Sequence, residues 1–210
     1  MTYINKSIII TCVMLNSCAY IDYGAVYDYT KLTILGVEDL KVDERLLDEG
    51  SASFIKVKIG RTRIAILPLS TVQDNVFEWV GAGGEKIITA HGRIIATTGL
   101  EHNVEILSLQ NVALDLDAPK ELLISLRDPD AIISQSSTSY DLGDAVLELD
   151  QGYLTRSYQE DFKTNDYNWS GTNYYWIDSR TSLPIKTIAS PHPLLGTIEI
   201  EYFYKYTRKK

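Results

Sequence analysis

The chain has 210 residues, 45% of them hydrophobic and 23% charged, which is the length of one domain or of one domain with an appendage. The 20 basic and 28 acidic side chains give a formal charge of −8, the wrong sign for a nonspecific nucleic-acid binder. The hydrophobic share is too high for disorder and too low for a polytopic membrane protein, and 2 cysteines with 3 histidines leave little for a disulfide scaffold or a metal centre.

In chain order, the first predicted element is an address label. Met1–Ser17 carries one charge, Lys6, and a short apolar core, Ile8-Ile9-Ile10-Thr11-Cys12-Val13-Met14-Leu15, which is the pattern of a secretory signal peptide. That core is well short of the roughly 20 residues needed to span a bilayer. Leu15-Asn16-Ser17-Cys18 resembles the bacterial lipobox, so residues 1–17 are expected to be removed and Cys18 to carry a covalent lipid. Ala19 follows, where an aspartate would resemble an inner-membrane retention signal. The expected location is the outer membrane, lipid-anchored and facing the periplasm.

Residues 18–50 read as the anchor and a lead-in of one or two short helices. Tyr23, Tyr27 and Leu35 share a helical face, and Val42–Glu49 forms an acidic turn of helix stopped by Gly50. After Gly50 the period becomes two, and residues 51–210 form the main domain. Ile55, Val57 and Ile59 alternate with lysines, and Thr62–Leu67 returns as the partner of a hairpin. Strands follow at Val76–Val80, Lys86–Ala90 and Arg93–Thr98, with His91-Gly92 between the last two. Val104–Leu109 and Val112–Leu116 are shorter strand candidates, and Pro119–Leu126 reads as a brief helix. Strands at Ala145–Leu149 and Gly152–Tyr158 flank an Asp150-Gln151 turn. Asn173–Asp178 and Leu183–Ala189 make a hairpin, and Thr197–Tyr206 places Ile198, Ile200, Tyr202, Tyr204 and Tyr206 on one face. Short strands without a βαβ rhythm predict an all-β fold, its antiparallel sheets arranged as a sandwich or a (half-)barrel. The 14 tyrosines agree, since tyrosine favours strands.

Two stretches carry a family resemblance. One is Phe77-Glu78-Trp79-Val80 followed by a glycine turn and Ile88-Thr89-Ala90-His91-Gly92-Arg93-Ile94-Ile95-Ala96-Thr97. The other is Tyr175-Trp176-Ile177-Asp178-Ser179 with Pro184-Ile185-Lys186 on the return strand. Together with the lipobox, these resemble the YjbF/GfcB-type lipoproteins of exopolysaccharide and group 4 capsule operons. The stretch from Asn111 to Asp161 departs from that pattern. The resemblance implies an all-β periplasmic domain on the outer membrane, a role in making or exporting an extracellular polysaccharide, and no known catalytic residue.

The candidate contacts for a glycan or a partner are Trp79, His91, Arg93, Trp169, Tyr175 and Trp176. Rings stack on the C–H faces of sugars, and arginine binds carboxylates bidentately. Each has a structural alternative. Gly92 permits a bend beside which Arg93 pairs with an acid, and the aromatics fill a core; Tyr175 and Trp176, as strand neighbours, face opposite ways. The carboxylate pairs Asp115/Asp117, Asp128/Asp130 and Glu160/Asp161 are sequence neighbours, not the facing pair of a glycosidase. No nucleophile elbow, Walker loop, dinucleotide fingerprint or zinc-protease motif occurs. The expected function is therefore non-enzymatic, with no cofactor, no metal and no nucleic acid. The chain would assist polysaccharide synthesis or export by binding glycan or as a scaffold for export proteins. The alternative is a lipid or lipoprotein carrier with an apolar cavity.

Overall fold

The computed structural model describes residues 53–205, apart from 62, 109–112, 115, 117–118 and 150–151. All of these lie in the unit spanning Asp39–Lys210. The expected signal peptide, lipidated cysteine and lead-in helices lie outside the described residues.

Twelve strands follow one another: β1 (Phe54–Ile59), β2 (Arg63–Gln73), β3 (Val76–Val80), β4 (Lys86–Ala90), β5 (Arg93–Thr98), β6 (Asn103–Ile106), β7 (Lys120–Arg127), β8 (Ala131–Glu148), β9 (Gly152–Thr164), β10 (Ser170–Asp178), β11 (Pro184–Ala189) and β12 (Ile198–Phe203). Each pairs with its sequence neighbours, and β12 pairs with β1, so the sheet closes as an up-and-down antiparallel barrel. Closure is in register from Phe54 opposite Phe203 to Ile59 opposite Ile198, and the Phe54 and Phe203 rings stack at 4.9 Å. Of the two expected architectures, the barrel is the one formed.

The near rim, where β1 begins, carries the β2–β3, β4–β5, β6–β7, β8–β9 and β10–β11 connections; the far rim carries the others. Asp74-Asn75 and His91-Gly92 each turn the chain in two residues with positive φ (49° and 64°; 51° and 83°). That geometry matches the twist of the flanking strands and favours Asn, Asp and Gly.

Alternation decides which side chains go inside. Trp79, Ile87, Tyr202, Ile198, Ile200 and Ile55 form one apolar cluster, and Val104, Ile106, Leu122, Ile124, Leu126 and Ile133 form a second. Burying each such side chain contributes about 1.5–3 kcal/mol. The outer face is charged in mid-strand: Lys56 pairs with Glu201 at 3.3 Å, Lys86 with Glu78 at 2.8 Å, and Lys186 with Glu199. A lysine facing hydrocarbon at the bilayer midplane costs about 2–4 kcal/mol. This barrel therefore carries its apolar clusters within and ion pairs on its outer face, where a membrane-spanning barrel has an apolar band.

Two local expectations are overturned. Pro119–Leu126 is not a helix but most of β7, held between β6 and β8. Leu122 and Leu126 fit a helical spacing, but Leu122, Ile124 and Leu126 also alternate, and the neighbouring strands select that period by burying all three. The Val112–Leu116 strand candidate is not formed among its described residues: Ala113, Leu114 and Leu116 lie in the irregular connection between β6 and β7, outside any strand ladder.

Candidate functional site

The His91-Gly92-Arg93 triplet folds into the near rim. Gly92 has φ of +83°, and a Cβ there would lie 3.2 Å from the Cβ of Pro184 and 3.4 Å from Thr187 Oγ1. The Gly92 carbonyl accepts a hydrogen bond from Thr187 Oγ1 at 2.8 Å. Only glycine lets the β4–β5 turn lean this far onto β11. Arg93 then reaches across the barrel to β9. Its two terminal nitrogens donate to Glu160 Oε2 at 2.8 Å and Oε1 at 2.7 Å. Asn173 Nδ2 and the Tyr175 hydroxyl add bonds to Oε2 at 3.1 and 2.9 Å. Glu160 is 0% exposed and Arg93 4%.

Burial alone would raise the Glu160 carboxyl; the Arg93 charge and its hydrogen bonds, with those from Asn173 and Ser137, outweigh it and hold the group below its ordinary value. Burial, then the Glu160 charge, pushes the Tyr175 phenol well above its usual range. None of these groups is poised near neutrality, where acid–base catalysis works best. The space beside them is about 30 Å³. The cluster is a polar lock that closes the barrel interior.

Among the singled-out residues, Trp79, Arg93 and Tyr175 are thus interior. Trp79 is 0% exposed and donates from Nε1 to Thr89 Oγ1 at 3.0 Å. Trp169 is half-buried on the far rim, edge-on to Phe162 at 5.0 Å. Trp176 is half-buried with its ring 6.2 Å from Tyr174, two residues away on β10. His91 is exposed at its turn. The structure therefore brings Arg93 and Tyr175 together, and leaves His91, Trp169 and the Tyr174–Trp176 pair apart on the surface.

Three features lie outside the residues singled out in the sequence. First, Glu160 is the partner of Arg93; neighbours on a strand face opposite ways, so one of Glu160 and Asp161 had to point inward. Second, the far rim holds a cavity of about 480 Å³ lined by Val57, Ile59, Ala65, Ile87, Leu100 and Leu195 and by the Gly81–Glu85 loop. It lies where β2 splays: β2 pairs with β1 from Arg63 to Pro68, but with β3 only from Leu69 onward. A Cβ on Gly99 would stand 3.2 Å from the Glu85 Cα, so the β5–β6 turn packs tightly on the loop that frames the mouth. Third, β8 pairs with β7 only as far as Ser137 yet continues along β9 to Glu148, forming an arm at the near rim. The arm exposes Leu142 and the cross-strand pair Val146–Leu154, at 54%, 68% and 54%.

On the far rim, the His102 and His192 rings stack at 5.0 Å. Burial, then the neighbouring His102, lowers the His192 imidazole against the opposing pull of the Arg127 backbone and Asp128. Among the described residues, no group of His, Cys, Asp and Glu is arranged to hold a metal.

The family of group 4 capsule polysaccharide lipoproteins, GfcB and YjbF, matches residues 27–203. The chain belongs to this family. For the group 4 capsule lipoprotein family, the match spans the whole described barrel. The crystal structure of YmcC, a hypothetical lipoprotein from Escherichia coli (K12), has the same fold at a TM-score of 0.66 and 18% identity. The alignment covers 84% of this chain and 94% of that one. Nothing among curated proteins matches.

Proposed function

We propose that this chain is an outer-membrane lipoprotein, anchored through a lipid on Cys18 and facing the periplasm, that assists synthesis or export of an extracellular polysaccharide without catalysing a step. The match to the capsule lipoprotein family over residues 27–203 carries this reading. The polar lock supports an accessory rather than a conduit, because a glycan has no path past Arg93 and Glu160. The exposed apolar arm supports a scaffold for export proteins, since contiguous apolar surface marks interaction sites. A second reading, direct glycan contact, rests on the Tyr174–Trp176 pair, whose rings lie on one face of β10.

The test is a chromosomal deletion complemented with the intact chain, with Cys18→Ala, with Val146→Asp/Leu154→Asp, and with Trp176→Ala. Surface polysaccharide is measured at equal growth. The scaffold reading expects loss on deletion, rescue by the intact chain and failure of the Cys18 and arm variants. Rescue by the arm variant with failure of Trp176→Ala would move the reading to glycan contact. Normal polysaccharide in the deletion strain would overturn both.

A further inference from the structure

We infer that the far-rim cavity binds one acyl chain of an uncharged or zwitterionic lipid. The inference does not rest on the polysaccharide role; it follows from the lining, the opening and the charge of the mouth.

The lining is aliphatic. Val57, Ile59, Ile87, Leu100 and Leu195 offer methyl groups, and among the described side chains no aromatic ring, amide or guanidinium lines the space. A sugar would find no aromatic stacking face among the described side chains. At about 480 Å³ the cavity falls within the ~300–1,000 Å³ of small-molecule sites. The opening is lateral. Because β2 leaves β3 before Leu69, a chain can enter through the wall while its head group stays in water. Among the described lining residues the ionisable groups are Glu85 and Glu101, and Glu85 accepts a hydrogen bond from the Gly83 amide at 3.1 Å. Two carboxylates on a chain of formal charge −8 disfavour an anionic head.

The test uses the full-length chain in its own envelope. The photo-crosslinker p-benzoylphenylalanine replaces Leu195, which lines the cavity, or its neighbour Leu194, which is 60% exposed. After irradiation and proteolysis, the peptide carrying that position is weighed by mass spectrometry, which separates the adduct from the lipid on Cys18. The expected result is an acyl-lipid adduct at Leu195 and little at Leu194. Adding Ala65→Phe should lower the Leu195 yield by at least about tenfold, since its six-carbon ring displaces more than the roughly two methylenes to which a tenfold change corresponds. A polypeptide adduct at Leu195, equal lipid adducts at both positions, or no adduct would overturn the inference. So would an undiminished yield with Ala65→Phe. The Leu195 and Leu194 comparison needs no altered cavity, so it stands even if Ala65→Phe fails to accumulate. A failed deletion phenotype leaves this result untouched, and the reverse holds too.

Discussion

Replacing Glu160 with glutamine keeps the shape of the side chain and an acceptor for Asn173 and Tyr175, but strands the Arg93 guanidinium inside the barrel. Leaving one charge of a buried pair uncompensated costs about 3–5 kcal/mol. For a domain of this size, each kcal/mol moves Tm by about 2–4 °C, so Glu160→Gln should melt roughly 6–20 °C lower. Urea titration followed by tryptophan fluorescence measures the free energy directly, because Trp79 lies in the adjoining core. Arg93→Met added to Glu160→Gln should recover most of the loss: it removes the stranded charge while Asn173 and Tyr175 keep a carbonyl to bond. The pH dependence gives an independent check. The folded Glu160 carboxyl sits below its ordinary value of 4.5, so the stability it contributes is complete above that value and is lost as pH falls through the folded one. The intact chain should therefore lose stability more steeply in acid than Glu160→Gln does. A loss under about 1 kcal/mol for Glu160→Gln, or a double variant no more stable than the single one, would refute the lock.

Gly92→Ala must hold φ near +83° and press on Pro184 and Thr187; a loss of about 1–3 kcal/mol in urea titration is expected, and an unchanged midpoint would contradict the close approach. Thr89→Val removes the acceptor of the Trp79 indole in a site 0% exposed, for a loss of about 1–3 kcal/mol with a shifted emission maximum. His192 titrates below its ordinary value of 6.5, so its contribution to stability is complete above that pH and fades as pH falls through the folded value. His192→Phe keeps the stack on His102 and should flatten the stability profile below that pH; an unaltered slope would show that His192 does not set it.

The spans of β3, β4 and β5 were legible residue for residue, because each is a short run of largely apolar and β-branched side chains bounded by the turns at Asp74-Asn75, Gly81–Glu85, His91-Gly92 and Gly99. Patterning failed at β7, where Leu123 sits on the exposed face and fills in the alternation, so helical and strand spacings read equally well. Which strands pair at the ends is a long-range matter: Phe54 meets Phe203 only when the sheet coils fully, and nothing local in either strand signals it. The same holds for the site. Arg93 beside a turn glycine reads as a residue paired with an acid, and it is, but the acid is on β9 across the barrel. The carrier alternative asks for an apolar cavity, but its place was not legible, because it lies where β2 has no partner on β3 before Leu69, while the residues of β2 still alternate as those of a paired strand do.

An even number of strands in a meander returns the chain to the rim from which it set out. Ser53 and Lys205 therefore sit side by side, the Lys205 amide donating to Ser53 Oγ at 3.1 Å, at the end that carries the lock and the arm. If the leading stretch is tethered, a fusion at the C-terminus shares the tethered end, whereas an insertion at Gly60-Arg61 stands at the opposite one. Reporters placed at these two positions measure different distances from the same surface, and the cavity travels with the second.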